Sequence, residues 1–142
     1  MRKKNIVCGS IVLFAVLMGV VAMMMSNPLR KPPEKIREDL LKLTPIGTSM
    51  EEVIGAIRGH KKWRIEYVSD THGYSVSAYD GRPSEPAPDE KWIGKKSINA
   101  YLGSYCGGIK DYFFEIGVSV YFGFDEDSKL IDIAVRKDAD SL

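Results

Sequence analysis

The chain has 142 residues, of which 44% are hydrophobic and 27% are charged, values ordinary for a globular protein that exclude global disorder. The net charge is +1, and without the basic cluster Arg2, Lys3 and Lys4 the chain holds 17 Lys and Arg against 19 Asp and Glu, a net charge of −2. A mildly acidic body without a basic stripe argues against a nucleic-acid partner, because such binding depends on neutralising phosphates.

The first predicted element is an uncharged segment from Ile6 to Met25, "IVCGSIVLFAVLMGVVAMMM". About 20 helical residues span about 30 Å, the thickness of the hydrocarbon core of a bilayer. The segment is longer than the apolar part of a cleaved signal peptide and does not end in small residues. We therefore predict an uncleaved transmembrane anchor over residues 1–26, in contact with membrane lipid. The short basic N-terminal tail favours a cell-membrane protein whose remaining chain is extracytoplasmic.

A proline-containing linker, residues 27–33, precedes the first predicted helix of the soluble part. Pro33 suits the first helical position, and the residue before Pro45 is expected to end the helix because it avoids the helical region. The spacing in "EKIREDLLKL" predicts a buried face made of Ile36, Leu40 and Leu43.

The stretch "GTSMEEV" predicts the start of a second helix. Ser49 and Glu52 have the spacing of a capping box, in which each side chain bonds the other residue's backbone N–H. Gly47 gives the chain the freedom to turn between the two helices. Gly55 is expected to let the helix approach another backbone, and Gly59 to end it. The expected buried residues are Val53, Ile54 and Ile57.

After the second helix the hydrophobic period changes from helical to twofold, which predicts strands. The predicted strands are "WRIEYV", "YSVSAY", "KSINAYLGSY", "YFFEIGVSVYFGF" and "LIDIAVRK", with a proline-rich loop at residues 80–91 after the second. The inward residues of the last two strands are expected to be Ile116, Val118, Val120, Phe122 and Phe124, and then Ile131, Ile133 and Val135. Residues 34–142 are thus predicted to form an α+β domain, with two N-terminal helices packed on one face of an antiparallel sheet of about four to five strands.

Reactive side chains are few. Cys106 is expected in a hairpin turn, and with His60 or His72 it offers a thiol site only on paper, since no sequence signature supports a nucleophile. The "DEDS" stretch lacks the glycine and the distal glutamate of a calcium loop, so a solvated turn is expected. We therefore expect no catalytic residue, no metal site and no cofactor. An enzyme that uses Cys106 or an acidic cluster is the alternative.

The candidate binding residues are Tyr101, Tyr105 and Tyr121, which the alternation places opposite the core. Tyrosine is enriched in binding surfaces because it supplies contact area at a low entropic cost. These three side chains are therefore predicted to line the exposed side of the sheet and to contact a partner. The alternative is that they are aromatic residues suited to strands and partly covered by the proline-rich loop.

Residues of the helix start and the final hairpin resemble the SmpA/OmlA (BamE-like) family. Gly47, Ser49, Glu52 and Val53 match its "G-M-T-x-x-E/Q-V" signature, and a "W-x-x-x-Y" strand and a final "Y-F-x-F-D-x-x-x-K-L-x-x-I" hairpin follow. The resemblance covers about residues 36–137, and the β-lactamase inhibitor protein repeat has a similar arrangement. It implies a non-catalytic partner-binding module of the bacterial cell envelope. The family's lipoprotein cysteine is missing here, and the predicted membrane anchor takes its place.

We therefore expect one of two functions, both of them non-catalytic binding functions. The first is a membrane-anchored, extracytoplasmic module, without catalysis of its own, that binds a protein partner through its sheet and loop. The alternative is an inhibitor or immunity-type protein that neutralises a specific enzyme or toxin.

Overall fold

The computed structural model describes Met18 and residues 27–75, 91–107 and 114–141. The chain divides into two units, Met1–Lys31 and Pro32–Leu142. In the described part of the first unit, a 3-10 turn at Pro28–Arg30 is capped by the Asn27 side chain, which accepts the Leu29 N–H at 3.0 Å. No helix within the described ranges is long and apolar enough to cross a membrane. The predicted anchor lies outside those ranges except for Met18, so it stays a prediction.

The second unit begins with helix α1, Pro33–Leu43. Pro33 occupies the first helical position, as predicted, and the helix ends before Thr44. The Thr44 hydroxyl donates to the Leu40 carbonyl at 3.0 Å, which satisfies one of the carbonyls left open at a helix end. Leu40 is buried, but the prediction for Leu43 is wrong: its position at the last turn leaves it 47% exposed.

Helix α2, Met50–Gly59, begins with the predicted capping box. Ser49 Oγ accepts the Glu52 N–H at 3.3 Å, and the Glu52 carboxylate accepts the Ser49 N–H at 2.9 Å. Gly47 has a φ of +90°, the left-handed region that the turn between the helices requires. The prediction for Gly55 is wrong, because a Cβ there would have nothing within 4 Å. The buried residues of α2 are Met50, Val53 and Ile57, while Ile54 is half-buried.

Within the described residues, six strands follow the helices. They are β1 (Arg64–Ser69), β2 (Tyr74–Ser75), β3 (Trp92–Ile93), β4 (Lys96–Cys106), β5 (Phe114–Phe124) and β6 (Leu130–Ser141). Four form an antiparallel sheet in the order β1-β4-β5-β6, and β2 pairs with β3 in a separate ribbon. The predicted second strand is described only as far as Ser75, and the proline-rich loop lies outside the described residues apart from Lys91. Cys106 is the last residue of β4 rather than part of a turn, because it pairs with Glu115.

The core lies between the helices and one face of the sheet, as the α+β prediction requires. Helix α1 packs against β6 and α2 against β1. Burying one large aliphatic or aromatic side chain stabilises the fold by about 1.5–3 kcal/mol. The sheet contributes Ile98, Ala100, Leu102, Val118, Val120, Phe122, Phe124, Leu130 and Ile133, each at most 3% exposed.

The inward side of β6 differs from its prediction at one residue. Pairing shifts between Gly123 and Phe124, so Phe124 pairs with Leu130 and Gly123 with Asp132. The residue between them, Ile131, bulges out of the ladder and is 41% exposed, whereas Leu130 is fully buried. Ile133 is buried as predicted. A bulge adds one residue and reverses the faces that follow or precede it, which a strict alternation does not anticipate.

Candidate functional site

The candidate site is the face of the four-stranded sheet opposite the helices, here named the outer face. On β4, β5 and β6 its members lie on the strand face opposite the buried core residues, and cross-strand pairing places residues of β1 beside them. It comprises Arg64 and Tyr67 of β1, Asn99 and Tyr101 of β4, Gly117, Ser119, Tyr121 and Gly123 of β5, and Asp132, Arg136 and Asp138 of β6.

The β2–β3 ribbon covers one end of the outer face. A Cβ on Gly123 would lie 3.0 Å from Tyr74 Cε1 and 3.2 Å from the Ile93 carbonyl oxygen, so the ribbon packs directly on the bare backbone of β5. The Tyr74 hydroxyl donates to Asp132 at 2.8 Å, and its ring centroid is 5.8 Å from that of Tyr121. The ribbon therefore forms a wall beside Tyr121.

Tyr101 and Tyr121 both lie on the outer face and both are half-buried. The Tyr101 ring lies against Gly117, where a Cβ would come within 3.3 Å of it. The Arg64 guanidinium carbon sits 5.2 Å from the centroid of the same ring, within the range of a cation–π contact. The ring of Tyr101 is thus held between a glycine and an arginine.

Tyr105 does not belong to the outer face, and its predicted placement is wrong. Pairing shifts between Tyr101 and Gly103, so β4 carries an extra residue, and Tyr105 pairs with Ile116 on the helix-facing side. Its hydroxyl accepts a hydrogen bond from Lys137 Nζ at 3.1 Å, and that lysine pairs with the fully buried Val118. The structure therefore brings two of the three predicted tyrosines together and separates the third.

Asn99 occupies the middle of the outer face, paired with Tyr67 on one side and Tyr121 on the other. Its Oδ1 is buried and has no hydrogen-bond partner within the structure as described, and the same holds for Trp92 Nε1. Trp92 stands edge-on to His72 at 5.6 Å, and His72 lies 6.3 Å from the Tyr67 ring. A buried polar atom without a partner costs about 1–3 kcal/mol, so each of these two would gain from a hydrogen bond supplied by another group.

The charges of the outer face are balanced in pairs. Arg64 bonds Glu66 at 2.9 Å, and Arg136 bonds Asp138 at 2.6 Å with only 21% of the arginine side chain exposed. Burial raises the pKa of Tyr121, Arg136 lowers it in part, and the carboxylates Asp138 and Glu66 raise it again. The phenol is therefore neutral at physiological pH and able to donate a hydrogen bond. A face of this kind favours aromatic and hydrogen-bonding contact over net charge attraction.

Sequence reasoning missed Tyr67, Asn99, Trp92 and the two arginines. Their signal in the sequence is the polar half of the strand alternation: Asn99 lies between two buried residues, and Arg64 and Arg136 each lie between half-buried ones. That signal gives the face of each residue, but it does not give the register that places Asn99 between two tyrosines.

The fold does not bring Cys106 and His72 together as a thiol site would require. His72 is joined to Ser97 near the start of β4, where Ser97 Oγ donates to the His72 carbonyl at 3.1 Å, whereas Cys106 ends the same strand. Nine residues of strand correspond to roughly 30 Å, too far for a hydrogen bond. His60 is stacked on Trp63 with ring centroids 3.7 Å apart. Among the described residues no three His, Cys, Asp or Glu side chains are grouped so as to hold a metal ion.

No protein-family model, no curated protein and no solved structure matches the chain. The resemblance to the SmpA/OmlA family thus remains a prediction that rests on its short motifs and on the order of helices and strands. The geometry itself defines a broader class, a helix pair packed on an antiparallel sheet whose other face carries tyrosine and arginine side chains.

Proposed function

We propose that the protein is a membrane-anchored binding module of the bacterial cell envelope, non-catalytic, that holds a protein partner on the outer face of its sheet. The supporting observation is the composition of that face: Tyr67, Tyr101 and Tyr121 surround Asn99, whose buried oxygen has no donor among the described groups. Tyrosine and arginine are the side chains that most often anchor protein interfaces.

The location belongs to the same proposal. The apolar segment Ile6–Met25 anchors the chain in the cell membrane, and the basic residues before it keep the N-terminus in the cytoplasm. The second unit is then extracytoplasmic, as the SmpA/OmlA resemblance implies for a module of the envelope. A reporter active only in the cytoplasm, fused to the C-terminus, is expected to stay inactive; activity of that reporter would reverse the orientation.

Site-specific photo-crosslinking in intact cells tests the binding function. A photoreactive residue replaces Tyr67 or Tyr101 on the outer face, and in the control it replaces Arg58, which is exposed on α2. The two outer-face positions are expected to capture the same protein, and Arg58 is not. Combining Tyr121→Ala with Arg136→Ala is expected to remove the adduct.

Three results would contradict the proposal. They are identical adducts from Arg58 and Tyr67, the absence of any protein adduct from the outer face, and turnover of a substrate by the purified chain. Circular dichroism of the Tyr121→Ala, Arg136→Ala variant checks that a lost adduct does not come from a lost fold.

A further inference from the structure

A second exposed surface lies where the turn between the helices meets the start of β6. Its centre, here named the aliphatic patch, consists of Leu43, Ile46 and Ile131, which are 47%, 56% and 41% exposed. Single exposed aliphatic side chains are normal on a protein surface, but grouped ones mark interaction sites.

Backbone hydrogen bonds join the two segments that carry Ile46 and Ile131 of the aliphatic patch. The Gly47 N–H donates to the Leu130 carbonyl at 2.8 Å, and the Leu130 N–H donates to the Thr48 carbonyl at 2.8 Å. Ile46 and Ile131 each lie one residue from this bonded pair, and Leu43 ends α1 three residues before Ile46. The bulge that exposes Ile131 is thus placed next to the turn that exposes Ile46.

An acidic border adjoins the aliphatic patch. The Met50 N–H donates to the Ser128 carbonyl at 2.9 Å, which joins the start of α2 to the turn between β5 and β6. This junction gathers five carboxylates, those of Glu51, Glu52, Asp125, Glu126 and Asp127. Three cations accompany them: Lys129, Lys96, whose Nζ donates to Ser128 Oγ at 2.6 Å, and Lys95, whose backbone N–H donates to the Phe124 carbonyl at 2.7 Å. The border therefore keeps a net negative charge.

We propose that the aliphatic patch and its acidic border bind a basic amphipathic segment of a partner protein, one whose large aliphatic side chains are flanked by Lys or Arg. Aliphatic anchors of the segment would bury Leu43, Ile46 and Ile131, and its cations would lie against the carboxylates. Charge complementarity of this kind selects the partner and accelerates its association.

The negative charge of the border also argues against two other binding partners for the patch. A second copy docked through the same patch would bring two acidic borders close to each other, which is repulsive. The surface of an anionic membrane would repel the border in the same way. A basic segment gains from both parts of the surface.

Fluorescence anisotropy of the full-length chain in detergent tests the proposal. The probe is a labelled helical peptide with leucine at positions i, i+3, i+4 and i+7 and with flanking lysines, and the matched probe has glutamate in place of each lysine. Two variants alter the site: Ile46→Ser with Ile131→Ser, and Glu126→Lys with Asp127→Lys. Val68→Ser is the control, since Val68 is 40% exposed on β1, away from the patch.

The lysine peptide is expected to bind the unaltered chain at least roughly tenfold more tightly than the glutamate peptide, and added salt should weaken its binding. Each variant pair should weaken that binding by roughly tenfold, and Val68→Ser should leave it unchanged. The Glu126→Lys, Asp127→Lys variant is altered only in an exposed turn and is expected to fold. It therefore still tests the proposal if the Ile46→Ser, Ile131→Ser variant does not fold.

Equal binding of the two peptides, no binding of the lysine peptide, or unchanged binding by the charge-altered pair would overturn the proposal. Sedimentation that shows a dimer dissociated by Ile46→Ser would overturn it in favour of a second copy. The result is independent of the outer face, because a Tyr121→Ala variant is expected to bind the lysine peptide normally.

Discussion

Gly47 and Gly55 lie on either side of the N-cap of α2 and have different backbone conformations. Gly47 has a φ of +90°, which an L side chain rarely adopts, while Gly55 lies in the regular interior of the helix. A Cβ would meet nothing within 4 Å at either position, so crowding affects neither substitution. Differences between the two alanine variants then report backbone conformation alone.

Gly47→Ala is expected to destabilise the fold by about 1–2 kcal/mol, because alanine is strained at positive φ. Gly55→Ala is expected to stabilise it by about 0.5–1 kcal/mol, because glycine in a helix costs backbone entropy. Urea unfolding followed by circular dichroism measures both changes, and the m-value should stay constant. Effects of the same sign would show that Gly47 does not hold the conformation described for it.

The capping box fixes where α2 begins, and its contribution is measurable. Ser49→Ala removes the side-chain acceptor for the Glu52 N–H and is expected to lower the free energy of unfolding by about 1 kcal/mol. Ser49→Asp keeps an acceptor at the N-cap and should retain most of the stability. Equal unfolding midpoints for the alanine and aspartate variants would contradict a role for the cap.

The helices and strands themselves follow from local patterns. Pro33, the Ser49–Glu52 pair and the twofold alternation of β5 each act within a few residues, so the sequence is sufficient to predict them. Bulges depend on pairing between distant segments, and the sequence does not display the pairing. Gly103, with a φ of +123°, is the single local sign of the bulge in β4 that turns Tyr105 toward the helix side.

The outer face was predictable only in outline for the same reason. Tyr101 precedes the bulge of β4, and Tyr121 lies on the neighbouring strand β5. Strand alternation therefore assigns both side chains to the correct face of the sheet. The position of Asn99 between Tyr67 and Tyr121 depends on the registers of two strand pairs at once. The contact of Trp92 with His72 depends further on how the β2–β3 ribbon packs on the sheet. The hydrophobic periodicity of the sequence does not predict that packing.

One carboxylate joins three separate parts of the second unit. Asp132 of β6 accepts hydrogen bonds from Arg37 of α1 at 2.7 Å and from Tyr74 of the ribbon at 2.8 Å. Burial disfavours the charged form of Asp132, but the hydrogen bonds from Arg37, Tyr74 and the Ile133 backbone outweigh it and leave its pKa below the ordinary value. Burial raises the pKa of Tyr74, and its hydrogen bond to the same carboxylate raises it further.

This network makes the fold sensitive to acid. Because the pKa of Asp132 is lowered in the folded state, its contribution is complete above the unfolded value of about 3.9 and is lost as the pH falls through the folded value. Asp132→Asn is expected to lower stability by about 1–2 kcal/mol at pH 7, a figure reduced for partial exposure. The difference from the parent should shrink between about pH 5 and pH 2.

Urea unfolding at a series of pH values measures that difference. Asp127→Asn, in the exposed turn after β5, is the matched control and should track the parent throughout. A gap between parent and Asp132→Asn that stays constant down to pH 2 would contradict the role assigned to the Asp132 carboxylate.

The packing of α1 on β6 has a consequence for biosynthesis. Arg37 and Asp132 are separated by 95 positions. Helix α1, the first element of the second unit, therefore packs against β6, the last of its described strands. During translation, Ile36 and Leu40 emerge long before Leu130 and Ile133, the β6 residues that share the buried core with them. Strands β4, β5 and β6 are sequential neighbours and can pair locally, whereas the helices must wait for them. The nascent chain therefore carries an uncovered apolar helix face until β6 has been synthesised.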